Sequence, residues 1–535
     1  LSYADRIKKI VEVYKAITDK VADKENELAG RIYPMFKGNQ HIMYVYKTYR
    51  DIRLVGAPPE SVGKFGGDTD NWEWPRHTGD FSVFRVYTSK DGKPTAYSAE
   101  NVPLKPKYFL PVSIKGIKDG DFAMIYGYPG GTTRYETSYG IKLKNEIENP
   151  SLVGLRDVRL KLMHEQMIKD PAVKLKLADN YAGVANYWKF FDGETKQLIK
   201  YKVYEQKQDF ENKFNAWAKG KPEYENVMAD YAKNYAAWTP YSKMRQYLNE
   251  GILGSPLAAN ASRLISLEDK LIKTNTPAAD LKKAVDAATA ARAAFKESED
   301  LPSDEKILAA TAMMFYNDVD KNLHPIGFYE GMKAAYGSLN DEATFKAWAR
   351  DVFAKTMLLD DAKWKAFTDA PTATALQEDP AFAYAAAFSK NYTSKYSTLF
   401  ADFRNKNDEL GRAYLKGIME MNPAAVNKMY PDANFSMRVS YGNVKSYNPR
   451  DAVHYDYVCT GKGILEKYVP GDYEFDLPAK QVELFRKKDF GQYIDKGRND
   501  LVVSFITTND ITGGNSGSPV IDANGNLIGL AFDGN

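Results

Sequence analysis

Ile7, Ile10, Val11, Tyr14 and Ile17 recur at the spacing of one helical face, so the pattern predicts an amphipathic helix at the start of the chain. From about His41 the period changes. HIMYVYKTY alternates and is rich in aromatic and β-branched residues, as strands are. GAPPESVGKFGG is punctuated by Gly and Pro and reads as a loop. FSVFRVYT, YFLPVSI and FAMIYGYPGG read as strands joined by turns, so residues 31 to about 145 are expected to be mostly β.

From about 150 to 430 the period becomes helical. Leu264, Leu267 and Leu271 fall on one face, as do Phe403, Leu410, Tyr414 and Ile418. PAADLKKAVDAATAARAAF is dense in alanine, a strong helix former. Pro423 closes the last clear helix. After about 435 the β pattern returns in SMRVSYGNVKSY, LVVSFITTND, SPVIDANG and NLIGLAF, with Asn/Asp-Gly turns. The order β, helical, β divides the chain into residues 1–150, 151–430 and 431–535. The simplest architecture is β plus α: a β-barrel with a large α-helical domain inserted in its chain.

Composition narrows the function classes. The 535 residues are 44% hydrophobic, enough for a sizeable core. With 73 basic and 70 acidic residues the net charge is +3, without the basic footprint of a nucleic-acid binder. The single cysteine, Cys459, cannot form an internal disulfide or a thiol-metal cluster, and it reads as a buried thiol. No run of about 18 apolar residues is present, so no membrane-spanning helix is expected. Neither HExxH nor Cys/His spacing occurs, and GYPGG lacks the Lys and helix start of a phosphate loop, so no metal and no cofactor are expected. Leu1 is not an initiator Met, and Asn535 follows directly on the strand-like LIGLAFDGN; both ends read as cut.

The strongest local signal for chemistry is TGGNSGSPV, residues 512–520. Gly514 and Gly517 flank Ser516, and a nucleophilic serine on a tight turn needs them, because the substrate carbonyl must approach the backbone closely. The amides of Gly514 and Ser516 could converge on one oxyanion. The string has the Gly-x-Ser-Gly-x-Pro form of a chymotrypsin-type nucleophile turn. A plain Gly/Ser-rich hairpin loop is the alternative. The second signal is DNWEWPRHTGDFSVFRVY, residues 70–87. Asp80 stands at the mouth of a strand, where a carboxylate could orient a general-base histidine. Equally, the tryptophans could be core and Asp80 could cap a turn.

Five strings together resemble one family, the bacterial dipeptidyl-peptidases that include dipeptidyl peptidase 7 and dipeptidyl peptidase 11. They are VGAPPESVGKFGGDTDNWEWPRHTGDFSVFR, GYPGGTTRY, YNPRDAVHYDY, VPGDYEFDLPAK and FITTNDITGGNSGSPVIDANGNLIGLAFDGN. The resemblance implies a chymotrypsin-like double β-barrel, its first barrel incomplete here, with an inserted helical cap. It implies a serine-type aminopeptidase that releases dipeptides from peptides with a free N-terminus, and export to the periplasm or cell surface. It places the nucleophile on Ser516, the triad aspartate on Asp80, and the N-terminus-binding residues on Asn71, Trp72, Arg76, Asn186 and Asp533. An ammonium group needs acceptors, which Asn186 and Asp533 offer; Arg76 would instead hold a carboxylate or carbonyl. Gly534 falls where the family sets the pocket for the side chain before the cut. The acid-selective type carries arginine there, so glycine implies the dipeptidyl peptidase 7 type and a hydrophobic or bulky residue before the cut. Alternatively, Gly534 only permits a turn.

The family's catalytic histidine motif lies upstream of everything present in this chain. His41, His77, His164, His324 and His454 lack its setting, and ordinary structural roles are expected for them, His77 included. The chain as given is therefore expected to be catalytically incomplete. A chymotrypsin-like endopeptidase and a non-catalytic peptide-binding relative are the competing readings. The expected partners are peptides with a free N-terminus, with no nucleic acid and no membrane span; a homodimer stays open.

Overall fold

The computed structural model describes residues 3–535, apart from the side chain of Ala4; Leu1 and Ser2 lie outside the described residues. The chain divides into two compact units, one formed by Leu1–Tyr135 with Ile418–Asn535 and the other by Glu136–Gly417.

The first unit opens with the helix Tyr3–Thr18. Next come strands β1 (Leu28–Met35) and β2 (Gln40–Lys47), an antiparallel pair in which Leu28 faces Lys47 and Met35 faces Gln40. Strands β3 (Asp51–Gly56), β4 (Val83–Thr88) and β5 (Val102–Pro103) form a three-stranded sheet. β6 (Phe122–Gly127) precedes the helical unit and β7 (Arg438–Asn443) follows it, and the two pair from Phe122↔Asn443 to Gly127↔Arg438. The long insertion thus leaves and returns at neighbouring strands, which lets one sheet survive the interruption.

The remaining strands are β8 (Tyr447–Arg450), β9 (Val453–Tyr455), β10 (Val458–Thr460), β11 (Ile494–Asp495), β12 (Asp500–Phe505), β13 (Pro519–Ile521) and β14 (Leu527–Leu530). β13 and β14 join β6 and β7 in the order β14-β13-β6-β7. The faces of this sheet bury Ala123, Ile125, Val520 and Ala531, with Phe505, Ile511 and Ile528 packed against them. A second cluster gathers Phe65, Ile464, Leu477 and Val482.

One expectation needs correcting. YFLPVSI forms no regular strand: Val112 makes a single parallel bridge to Leu527, flanked by Leu527 N donating to Pro111 O at 2.8 Å and Ser113 N donating to Leu527 O at 2.9 Å. Pro106 and Pro111 lack the N–H a ladder needs. The sheets have two to four strands each, and none closes into a barrel among the described residues, so the fold is α plus β with several small sheets.

The second unit is helical from Ser138–Leu143 to the helix Ser397–Met421, which runs past its end at Gly417. Its local sequence explains where helices begin. Asp170-Pro171, Ser255-Pro256 and Asp379-Pro380 each put a side-chain acceptor at the cap and Pro at the first helical position, and each cap accepts from a first-turn amide. The core is large and aromatic: Phe345 and Phe382 are buried in it, and Phe315, Trp348, Tyr384 and Phe388 pack edge to face. Among the described residues no helix is long and apolar enough to cross a membrane.

Candidate active site

Ser516 sits in the turn between β12 and β13, in the first unit, and is exposed. The turn is fixed by backbone pairing: Asn515 N donates to Thr512 O at 3.1 Å, Ser518 N to Asn515 O at 2.9 Å, and Gly517 N to Ala531 O at 2.7 Å. Asn515 is buried and its side-chain amide donates to Thr512 O at 3.0 Å. Gly514 has φ +105°, and a Cβ there would lie 2.5 Å from Tyr128 O and 2.7 Å from Gly130 N. Only glycine fits both demands. The amides of Gly514 and Ser516 donate to no acceptor among the described residues. Two free donors beside an exposed hydroxyl are what an oxyanion site requires.

Ser516 Oγ donates weakly to Phe532 O at 3.4 Å, so the segment after β14 lies directly beside it. The next residue, Asp533, is the junction of the site. Its Oδ2 accepts from Trp72 N at 3.1 Å and from Arg76 Nη1, and its Oδ1 accepts from Gly534 N at 2.8 Å. The Arg76 and Asp533 side chains are 11% and 14% exposed, so this ion pair is largely desolvated. Arg76 also lies over the Phe532 ring at 5.3 Å. Gly534 faces Trp72: a Cβ at 534 would sit 3.7 Å from the indole, an ordinary contact.

Trp72 has φ +59°, a left-handed conformation that costs a bulky residue about 1–3 kcal/mol. Its loop is tied on many sides. Trp74 Nε1 donates to Asp456 O at 3.0 Å, Ser504 Oγ to Arg76 O at 2.6 Å, Arg76 Nε to Thr78 Oγ1 at 2.5 Å, and Thr78 Oγ1 to Phe65 O at 2.8 Å. Asn71 lies in the same turn, half-buried.

Asp80 is exposed and makes no hydrogen bond or ion pair among the described residues. None of the five histidines bonds to it or to Ser516. His77 is buried, and burial first, then the charge of Lys467, pushes it down to about 4. It packs on Gly463 and beside Phe65 and Ile464, and its Nδ1 has no partner. A base that holds its proton so weakly at neutral pH is poorly matched to general-base work. His41 pairs with Tyr14, and His454 with Asn448 at 2.9 Å. Cys459 is a free, buried thiol, pushed up to about 12 by burial.

The structure therefore brings Trp72, Arg76, Asp533, Gly534, Gly514 and Ser516 together. Asn186 is in the other unit, half-buried on the helix Pro171–Lys200. Sequence reasoning did not single out the residues that hold the loop, Asp70, Lys467, Glu474 and Ser504. Their partners lie up to 428 positions away, and no local pattern marks such pairs.

Residues 1–535 match the family model described as Peptidase S46. An Asp/Glu-specific dipeptidyl-peptidase of Flavobacterium psychrophilum is 40% identical over 540 residues, covering 99% of this chain and 73% of the relative. A dipeptidyl-peptidase 7 of Capnocytophaga gingivalis is 39% identical, covering 96% and 71%. The crystal structure of Porphyromonas endodontalis DPP11 in complex with the dipeptide Arg-Glu matches with a TM-score of 0.85 at 31% identity, covering 97% of this chain and 73% of that one.

Proposed function

We propose, from the premise that this chain belongs to the peptidase S46 family, that it is a serine-type dipeptidyl-peptidase acting on peptides with a free N-terminus. The observation that carries this is the Asp533 carboxylate, fixed by Trp72 N and Arg76 one residue beyond the carbonyl that meets Ser516. Three donors occupy it, and a carboxylate has about four acceptor directions, so one remains for a substrate ammonium. An ammonium anchored there sets which carbonyl reaches Ser516, turning affinity into register. Asn71 and Trp72 would wall the same end of the substrate. The role of Asn186 as a second acceptor rests on the family resemblance alone, as does the chymotrypsin-like double barrel.

In the chemistry we assign, Ser516 Oγ attacks the carbonyl of the second residue. The developing oxyanion is met by the amides of Gly514 and Ser516, and a peptide amine leaves with the proton that the base took from Ser516. Asp80 orients that base. Because no histidine of this chain faces Ser516 or Asp80, the base is expected from outside residues 1–535, and those residues alone should turn over little. Export to the periplasm or cell surface is part of the same reading.

Overall identity does not choose the side chain before the cut, since relatives named for Asp/Glu and relatives named dipeptidyl-peptidase 7 stand at 40% and 39%. Gly534 carries the choice. It offers no counter-charge, so a carboxylate would be desolvated unpaired, while an apolar side chain gains about 1.5–3 kcal/mol on full burial.

The test is Ser516→Ala in protein that also carries the base-bearing segment. Loss of dipeptide release by several orders of magnitude with an unchanged melting temperature is expected. Retention of even about a tenth of the rate would remove Ser516 as nucleophile.

A further inference from the structure

Lys467 ends the short helix Gly461–Lys467 and lies 397 positions from the loop it touches. Its Nζ donates to Asp70 Oδ2 at 2.7 Å and to Pro75 O at 2.9 Å. The two acceptors bracket the turn that carries Asn71 and Trp72, with Arg76 immediately after it. The pair is sheltered, with side chains 25% and 9% exposed. Asp70 also reaches the site through its own backbone, because its carbonyl accepts from Arg76 Nη1 at 3.0 Å, and the same nitrogen holds Asp533. A continuous chain of polar contacts thus runs from Lys467 through Asp70 and Arg76 to Asp533. Glu474 anchors the start of the loop independently, accepting from Asp68 N at 2.7 Å and from Thr69 Oγ1 at 2.6 Å.

We infer that Lys467 is a positioning residue for recognition of the substrate N-terminus. By clamping Asp70 to Pro75 it holds Trp72 in its left-handed conformation and fixes the direction of Arg76, so that the Asp533 carboxylate keeps one acceptor direction open. A lone ammonium suits this position because its three donors rotate freely and can join a carboxylate to a carbonyl. The inference rests on the reading of Asp533 as the ammonium acceptor.

The experiment measures binding of the dipeptide alanyl-leucine and its N-acetyl form by calorimetry, together with amide hydrogen exchange across residues 66–78 and 511–518. The proteins are wild type, Lys467→Met, Lys467→Arg, Asp533→Ala and the double variant Lys467→Met/Asp70→Asn. The double variant removes both charges, so it folds without an unpaired buried carboxylate if the single one does not. Lys467→Met, or the double variant in its place, should weaken the free dipeptide about tenfold or more without changing the N-acetyl form. It should also speed exchange in 66–78 and leave 511–518 as in wild type. Lys467→Arg should restore affinity to within about threefold, since its fork reaches both acceptors. A folded variant that binds the free dipeptide within about twofold of wild type, or an unchanged exchange pattern in 66–78, overturns the role of Lys467. If Asp533→Ala binds the free dipeptide as wild type does, the Asp533 reading fails instead, and the assignment of Lys467 to N-terminus recognition falls with it.

Discussion

Asp533 and Gly534 are adjacent and do opposite things. Asp533 is a largely buried charge held by a guanidinium and two amides; Gly534 brings no side chain and leaves space against Trp72. In the proposed reading that contrast sets specificity at this end of the site: charge for the amine, apolar volume for the side chain before the cut. Replacing Gly534 with arginine tests it. In catalytically complete protein, Gly534→Arg should depress cleavage after Leu or Phe by roughly tenfold or more, the value of one buried apolar side chain, and favour cleavage after Asp or Glu. Rates across a panel of second residues give the answer, and a parent enzyme that already cleaves best after Asp or Glu would remove the role given to Gly534. At this scale the sequence was informative where chemistry depends on a local string. TGGNSGSPV declares its turn because Gly514 alone tolerates φ +105° against Tyr128 and Gly130. The partner of Arg76 could not be read, because the guanidinium crosses 457 positions to find its carboxylate.

Elements were legible where period and capping agree. The opening helix, β4, β7 and β12 occur where the alternation or the helical spacing placed them. Residues 108–114 are dense in apolar side chains yet make only the single bridge of Val112, because Pro111 denies the ladder a donor. Within the helical unit, one element start has a consequence for pH. Asp304 is fully buried and accepts from Ser255 Oγ at 2.6 Å and Leu257 N at 2.8 Å, at the start of the helix Pro256–Arg263. Burial outweighs these donors and raises it from the usual carboxylate range to about 7. A folded-state value above the unfolded one means that the native state holds the proton more tightly. The stabilisation is complete below about pH 4 and is lost as pH rises through about 7. The melting-temperature advantage of wild type over Asp304→Asn should therefore shrink between about pH 5 and pH 8. An advantage that grows with pH would mean Asp304 is charged in the folded protein.

At the scale of the whole molecule, the first unit is assembled from the two ends of the chain, with β6 and β7 pairing across the point where the helical insertion leaves and returns. That order was visible as β, helical, β. What the pattern could not supply was closure, since strand pairing decides it and the sheets stay small and open. The two halves of this unit meet at Asp533: Trp72 and Arg76 of the first half hold its carboxylate, and the neighbouring Phe532 carbonyl lies beside Ser516. The central claim is that this junction reads a free amine and so makes the enzyme a dipeptidyl-peptidase. It is tested most directly by one peptide, offered free and N-acetylated to catalytically complete protein, with products identified by mass spectrometry. The account predicts release of the N-terminal dipeptide from the free form and at least about 30-fold slower cleavage of the acetylated form, the loss expected when a buried charge is left without its partner. Equal cleavage of both, or cuts at internal positions, would contradict it.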